Sequence, residues 1–381
     1  MRLLPGAVHF QVTELPAYPA EGAGEHLYVF VEKENANTDE VGDALARALR
    51  RPGRDVGWAG RKDRVAIARQ WFSVRLGDEA GLAKLEAPAG ARLAVLEVAR
   101  HRNKLRLGHL AGNRFRLGLA GAEEPGALEA LRAALGRLTH FGVDNRFGAQ
   151  RFGTDEANLA VARAWAAGDA ARAAALCVDL SGSWRPGEPL PAEFRPGPFG
   201  RVVGALRRAP DDPERALRAA GPRLAKLLAS AAQSAVFNAV LDARRAAGLL
   251  HTARPGDVLR RAGGGLFRCS AADAADACGR AAPGRFEVFA TGPLPGADAF
   301  APGPEVEAEE RRWSEPAAID WKWLAVGPLA SPGARREFVV AFLEPPSLEA
   351  DEGITWLSFA LPAGSYATEV LAQSGVEGRP S

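Results

Sequence analysis

In Trp71-Phe-Ser-Val-Arg-Leu76, Phe72, Val74 and Leu76 point one way along an extended chain, and Trp71, Ser73 and Arg75 the other. A period of two fits a half-buried strand and not a helix, whose apolar face repeats at about 3.6 residues. Upstream, Val56 and Trp58 alternate in Arg54-Asp-Val-Gly-Trp-Ala59, so two strands hold a short charged turn, Gly60-Arg61-Lys62-Asp63-Arg64, between them. Further strands are predicted at Val8–Val12, ending at Glu14, at His26–Val31, near Leu93 to Val98, at Arg335–Leu343 and at Ile354–Leu361. Gly256–Leu259 and the Gly263–Gly265 run read as a strand and hairpin.

Helical spacing governs other segments. Asn37 can cap a helix with Glu40 three residues on, Val41, Leu45, Ala48 and Leu49 on its buried face and Pro52-Gly53 as its stop. Leu128, Leu131, Leu135 and Leu138 mark a second helix, and an Ala-rich helix is expected from Glu156 to about Cys177. A long helix from Pro222 to Ala247 carries Leu224, Leu227, Leu228, Ala231 and Ala235 on one face. Asn238 falls in that stripe; a buried amide must find partners, so a structural role in holding a loop is preferred for it. Seven prolines from Arg185 to Pro213 predict an extended linker, and the Gly/Pro-rich link from Thr291 to Pro304 a domain boundary. Glu305–Trp313 is predicted helical, and a closing helix follows Pro362.

Within the charged turn Asp63 lies between Lys62 and Arg64, and neighbouring cations favour an ionised carboxylate. Asp63 is therefore a candidate nucleophile or base; the alternative is a solvated turn without chemistry. The most basic stretch, Arg100 to Arg116, holds six Arg or Lys residues and no acid. If extended, it places Arg100, Arg102, Lys104 and Arg106 on one face, suited to a polyanionic backbone, although a charged edge strand that resists aggregation has the same pattern. Asn113 and Phe115 share a strand face, where an amide and a ring can hydrogen-bond a base edge and stack on its plane. In Asn145-Arg-Phe-Gly-Ala-Gln-Arg-Phe-Gly153 an Arg-Phe-Gly triplet occurs twice. Arg146 and Arg151 are placed to grip phosphate, and the phenylalanines either stack on bases or lie in a core.

At 381 residues the chain suits two domains, or one with an insertion. Its 47% hydrophobic and 25% charged residues exclude the disordered and fibrous classes. No apolar run approaches the roughly 20 residues of a membrane span, and Met1-Arg-Leu-Leu-Pro-Gly6 lacks a signal peptide's apolar core, so a cytoplasmic protein without membrane contact is expected. Cys177, Cys269 and Cys278 match neither a zinc site nor a disulfide framework, so no metal is expected. No dinucleotide or P-loop glycine pattern is present, and no nucleotide cofactor is expected. A net charge of +2 is too mild to decide nucleic-acid binding, which rests on the local clusters.

Six runs, in order over nearly the whole chain, resemble the TruD family of tRNA pseudouridine synthases. They are Gly24-Glu-His-Leu-Tyr-Val with Asn37-Thr38; Ala59-Gly-Arg-Lys-Asp-Arg-Val-Ala66 followed by Gln70-Trp71; Arg100-His-Arg-Asn-Lys-Leu-Arg-Leu-Gly with Gly112-Asn-Arg-Phe; Asn145 to Gly153; Ser230-Ala-Ala-Gln-Ser-Ala-Val-Phe-Asn; and Leu361-Pro-Ala-Gly-Ser-Tyr-Ala-Thr. The resemblance implies an isomerase that converts uridine 13 of tRNA to pseudouridine without a cofactor. It also implies an α+β fold, a pseudouridine synthase-like catalytic domain with a mixed, largely antiparallel sheet formed by residues 1–141 and 305–381, with an inserted α+β TRUD domain at 142–304. On the family's motifs Asp63 is the catalytic residue, Asn113 and Phe115 lie beside the target base, and Phe10 is the phenylalanine of the N-terminal motif, with His9 in place of the usual acid. Lys62, Arg64, Arg100, Arg102, Lys104, Arg106, Arg146 and Arg151 are the expected RNA contacts, and tRNA is the expected partner of a monomeric chain.

The chemistry needs one carboxylate. Asp63 either attacks C1′ or removes the C2′ proton to give a glycal, and the residues leave both routes open. A non-catalytic RNA-binding module would use the same basic stretch and Arg-Phe-Gly triplets without needing Asp63. A zinc deaminase would require H-x-E with P-C-x-x-C, which is absent, and a methyltransferase a donor-binding glycine motif.

Overall fold

A computed structural model of the chain describes residues 1–179, 181–190 and 197–378, which cluster into two compact units, 1–143 with 340–381, and 144–339. The first unit carries strands β1 (Arg2–Leu3), β2 (Phe10–Pro16), β3 (His26–Glu34), β4 (Val56–Trp58), β5 (Ile67–Arg75), β6 (Arg92–His101), β7 (Leu110–Ala120), β8 (Glu344–Asp351) and β9 (Ile354–Pro362). They form one sheet in the order β8-β9-β7-β2-β5-β3-β6, with β1 on β7 and β4 on β5. β2 and β5 run parallel and the other described pairs antiparallel, so the sheet is mixed and the unit is α+β.

Three helices cover one face: α1 (Thr38–Ala48), α2 (Ala127–Phe141) and α3 (Ala367–Gln373). Val29 and Val31 of β3 and Phe72 and Val74 of β5 pack on Val41 and Leu45 of α1. Val12 of β2, Phe115 and Leu117 of β7 and Phe359 of β9 pack on Leu131 and Leu135 of α2 and on Val370 and Leu371 of α3. Directly paired residues share a face, and Val12 pairs with both Ala68 and Phe115, so the two clusters lie side by side on the same face. α1 starts where its cap demands: the Glu40 carboxylate accepts from the Asn37 N–H at 2.7 Å, closing a capping box.

Two strand expectations change here. β5 stops at Arg75, and Leu76, with φ +51°, is exposed rather than in line with Phe72 and Val74. β6 stops at His101, so Arg100, Arg102, Lys104 and Arg106 do not continue as one extended face. The chain turns instead because the 102–109 segment docks on the sheet. The Leu105 N–H donates to Ser73 Oγ at 2.9 Å, the Tyr28 hydroxyl donates to the Asn103 carbonyl at 2.8 Å, and a Cβ on Gly57 would sit 2.2 Å from the Leu105 carbonyl oxygen.

The second unit has a four-stranded sheet in the order Leu266–Arg268, Val258–Arg261, Val288–Leu294, Ala334–Glu337, together with helices. The segment expected as one Ala-rich helix is two, Ala157–Ala166 and Ala170–Val178, because Gly168 takes φ +85° and Asp169 caps the second through the Arg172 N–H. The proline-rich segment is not all linker: Pro198–Leu206 and Pro213–Ala219 are helices that each begin on a proline, the position where a missing N–H costs nothing. Residues 191–196 of that expected linker lie outside the described residues.

Pro222–Ala246 is, by length and composition, long and apolar enough to cross a membrane, contrary to the expectation that no segment is. Its Leu224, Leu228, Phe237 and Leu241 are buried within this unit, with Phe237 stacked on Phe338 at 5.7 Å. Asn238 clamps a loop as anticipated: its Oδ1 accepts from the Phe147 N–H and its Nδ2 donates to the Phe147 carbonyl, both at 3.0 Å. The return to the first unit comes at Val340, not at Pro304. Ala334–Glu337 pairs with Val288–Leu294, and the buried Arg335 guanidinium donates to the Glu310 carboxylate at 2.9 and 2.5 Å, which keeps residues 305–339 in the second unit. Arg335–Leu343 is accordingly not one strand.

Candidate active site at the Asp63 loop

The charged turn leaves β4 at Trp58 and enters β5 at Ile67, and its backbone is tied at successive residues. Gln70 Nε2 donates to the Gly60 carbonyl at 3.2 Å. Thr38 Oγ1, at the first turn of α1, accepts from the Lys62 N–H at 3.0 Å and donates to Gln70 Oε1 at 3.0 Å. Lys33 Nζ donates to the Asp63 carbonyl at 2.6 Å and to the Ala36 carbonyl at 2.7 Å. The Gly108 N–H donates to the Ala59 carbonyl at 2.8 Å, fixing the loop's start to the 102–109 turn. Asp63 itself is exposed, so a freely accessible carboxylate sits on an immobilised backbone.

The expected electrostatics of the turn need correction. Lys62 does not flank the Asp63 carboxylate in solvent; it turns inward and donates to Glu14 Oε2 at 2.9 Å, with both side chains buried. Lys62 is therefore a support of the loop rather than an outward phosphate contact. Arg64 reaches to within 4.0 Å of Glu40, and Arg61 to within 3.3 Å of Asp39. Burial pushes the Glu14 carboxyl above its usual range, opposed by Lys62 and by the Trp71 N–H that Glu14 Oε1 accepts at 3.3 Å.

Strand register joins this loop to the other predicted residues. Glu14 of β2 pairs with Asn113 of β7, and Val12 with Phe115, so Glu14, Asn113, Phe10 and Phe115 occupy neighbouring rows of the helix-bearing face. Asn113 Oδ1 is buried and has no hydrogen-bond partner among the described residues. The phenylalanines are not open platforms. Phe10 is 5% and Phe115 7% exposed, with their ring centroids 6.2 Å apart and Phe115 5.5 Å from Phe359.

The remaining cations are dispersed. Arg102 pairs with Glu21 at 2.6 Å, Lys104 Nζ donates to the Arg54 carbonyl, and Arg106 is exposed. Arg100 is half-buried. In the second unit Arg146 pairs with Asp242, and Arg151 donates to Ser230 Oγ at 3.2 Å. Phe147 and Phe152 of the two triplets are buried, which removes them as stacking surfaces.

Glu14, Lys33, Thr38 and Gln70 were missed by sequence reasoning as parts of the site. One pattern exposes two of them: Lys33 follows Leu27, Val29 and Val31, and Glu14 follows Phe10 and Val12, each a charge at an inward-facing position of an alternating strand. Such a charge is kept buried only with dedicated partners.

The family model described as tRNA pseudouridine synthase D (TruD) matches residues 2–188 and 200–373. A tRNA pseudouridine synthase D of Geobacter metallireducens is 39% identical, over 97% of this chain and 94% of the relative. One from Thermus thermophilus is 35% identical, over 96% of this chain and 85% of the relative. The crystal structure of a TruD candidate from Methanosarcina mazei aligns with a TM-score of 0.71 at 24% identity, covering 98% of this chain and 93% of that one, a likeness in fold. From the match along both units and the identity to curated relatives, the chain belongs to the TruD family of tRNA pseudouridine synthases.

Proposed function

We propose that this protein isomerises uridine 13 of tRNA to pseudouridine, with Asp63 as its catalytic carboxylate. The observation that carries the reading is the exposed Asp63 side chain on a loop whose backbone is bound at Gly60, Lys62 and Asp63, joined through Lys62 and Glu14 to the row holding Asn113. A carboxylate carried on a fixed backbone can act on a sugar carbon without rearranging the loop around it. The C1′–N1 bond breaks, the uracil turns, and C1′ bonds to C5; C5 loses a proton and N1 gains one, so composition is unchanged. Asp63 acts either on C1′ as a nucleophile or on the C2′ proton as a base.

Asn113 supplies the unsatisfied acceptor that the uracil N3–H can fill, and Phe10 and Phe115 form the apolar wall behind the base. Reaching these residues requires the nucleotide to leave its stack, at about a few kcal/mol. Arg61, Arg64, Arg100, Arg102 and Arg106 of the first unit are read as phosphate contacts, and so, separately, are Arg146 and Arg151 of the second. All the base-handling residues lie in one unit of one chain, so a monomer acting on tRNA needs no second copy to complete them.

The test is carbodiimide mapping of tRNA incubated with purified protein and no added cofactor, using one transcript with uridine at position 13 and one with cytidine there. A single new stop at position 13 of the first transcript is expected; modification elsewhere, or none without a cofactor, overturns the assignment. Phe115→Leu separates wall from core. The fold is expected to lose no more than about 1.5 kcal/mol, while kcat/KM falls about ten- to a hundredfold as the wall behind the base loosens and the base is misplaced. Unchanged kinetics would make the ring a core residue alone.

A further inference from the structure

Lys33 is fully buried and, among the described residues, has no carboxylate within ion-pair distance. Its ammonium holds two carbonyl oxygens, those of Ala36 and Asp63. A solitary buried ammonium disfavours folding, and an apolar residue would continue the Leu27, Val29, Val31 stripe without that penalty. The small Ala68 lies opposite it on β5, and the Lys33 amine reaches the backbone of Asp63, a turn residue whose own side chain is exposed. We infer that Lys33 is a positioning residue for Asp63, its charged amine fixing the Asp63 backbone so that the carboxylate is held toward the reacting sugar. This inference rests on Asp63 being the catalytic carboxylate.

The charges around Lys33 make the arrangement titratable. Burial lowers its pKa from 10.5 to about 8; the carboxylates of Asp63 and Glu40 oppose that fall, and Lys62, itself paired with Glu14, adds to it. Because the folded pKa is depressed, the folded state binds this proton less tightly than the unfolded state does. The charged form therefore costs stability at neutral pH, and that cost is relieved as pH rises from about 8 to 10.5. Activity moves oppositely, since the amine that replaces the ammonium grips the Asp63 carbonyl more weakly. Stability gained while rate is lost, over one pH window, is a signature that a merely structural lysine lacks.

The experiment measures single-turnover rate and tRNA Kd for the wild type and Lys33→Met from pH 6 to 10, with the Lys33 ammonium followed by 13Cε NMR in the wild type. The expected result is a wild-type rate that declines with the same midpoint as the Lys33 resonance, near 8. Lys33→Met is expected to keep Kd within about twofold, lose at least about tenfold in rate and lose the alkaline decline. A Lys33→Met enzyme with the wild-type rate and pH profile overturns the inference. So does a Lys33 resonance that titrates apart from the rate, a comparison that needs no variant to fold. Activity in Asp63→Asn would instead remove the catalytic assignment itself, whereas an inactive Asp63→Asn beside an unaffected Lys33→Met defeats only the role given to Lys33.

Discussion

Asp63→Asn is expected to bind tRNA as tightly as the parent and to make pseudouridine at least about 10⁴ times more slowly, the scale on which loss of a central catalytic group is felt. The substitution keeps the shape of the side chain, and the loop is held through backbone atoms and through Lys62, none of which it alters. Asp63 is exposed, so stability should move by no more than about 0.5 kcal/mol. The measurement is single-turnover pseudouridine formation alongside filter binding. Retained turnover would exclude Asp63 as nucleophile and as base, and lost binding would make it a recognition residue.

The second large effect concerns Glu14. Glu14→Ala leaves the buried Lys62 ammonium unpaired, for which about 3–5 kcal/mol of stability is the expected loss. Adding Lys62→Met removes the stranded charge, and the double variant should recover most of that loss, a coupling visible as a non-additive shift in urea midpoint. The recovered fold should remain slow in catalysis, because Asp63 then follows a residue no longer pinned to β2. Additive losses would mean that the pair contributes little and that the loop is held by Lys33, Thr38 and Gln70.

These two residues also mark what the chain revealed before its structure. The turn that carries Asp63 was legible because it is local: two alternating strands and a charged tip lie within about twenty residues. The cap at Asn37 and Glu40 was legible for the same reason, and Asn238 because a lone amide in an apolar stripe needs partners. Glu14 was not, since its meaning depends on Lys62, 48 positions away, and on the parallel pairing of β2 with β5, which no local pattern encodes. The basic stretch misled in a different way. Alternation from Arg100 to Arg106 fits a strand, but Tyr28 and Ser73 on neighbouring strands bind the backbone at Asn103 and Leu105 and make it a turn.

The order of strands across the sheet carries a consequence for how the chain is made. β7 lies between β2 and β9, yet β9 begins at Ile354, after the whole of the second unit. With ribosomes adding roughly 5–20 residues per second, the β7 edge waits about ten seconds or longer for its final neighbour. Throughout that interval Asn113 and Phe115 border an unfilled lane, available to any other extended polypeptide. The nascent chain is thus open to mispairing at the very strand that carries its proposed base-handling residues, and the arrival of β9 is what closes it.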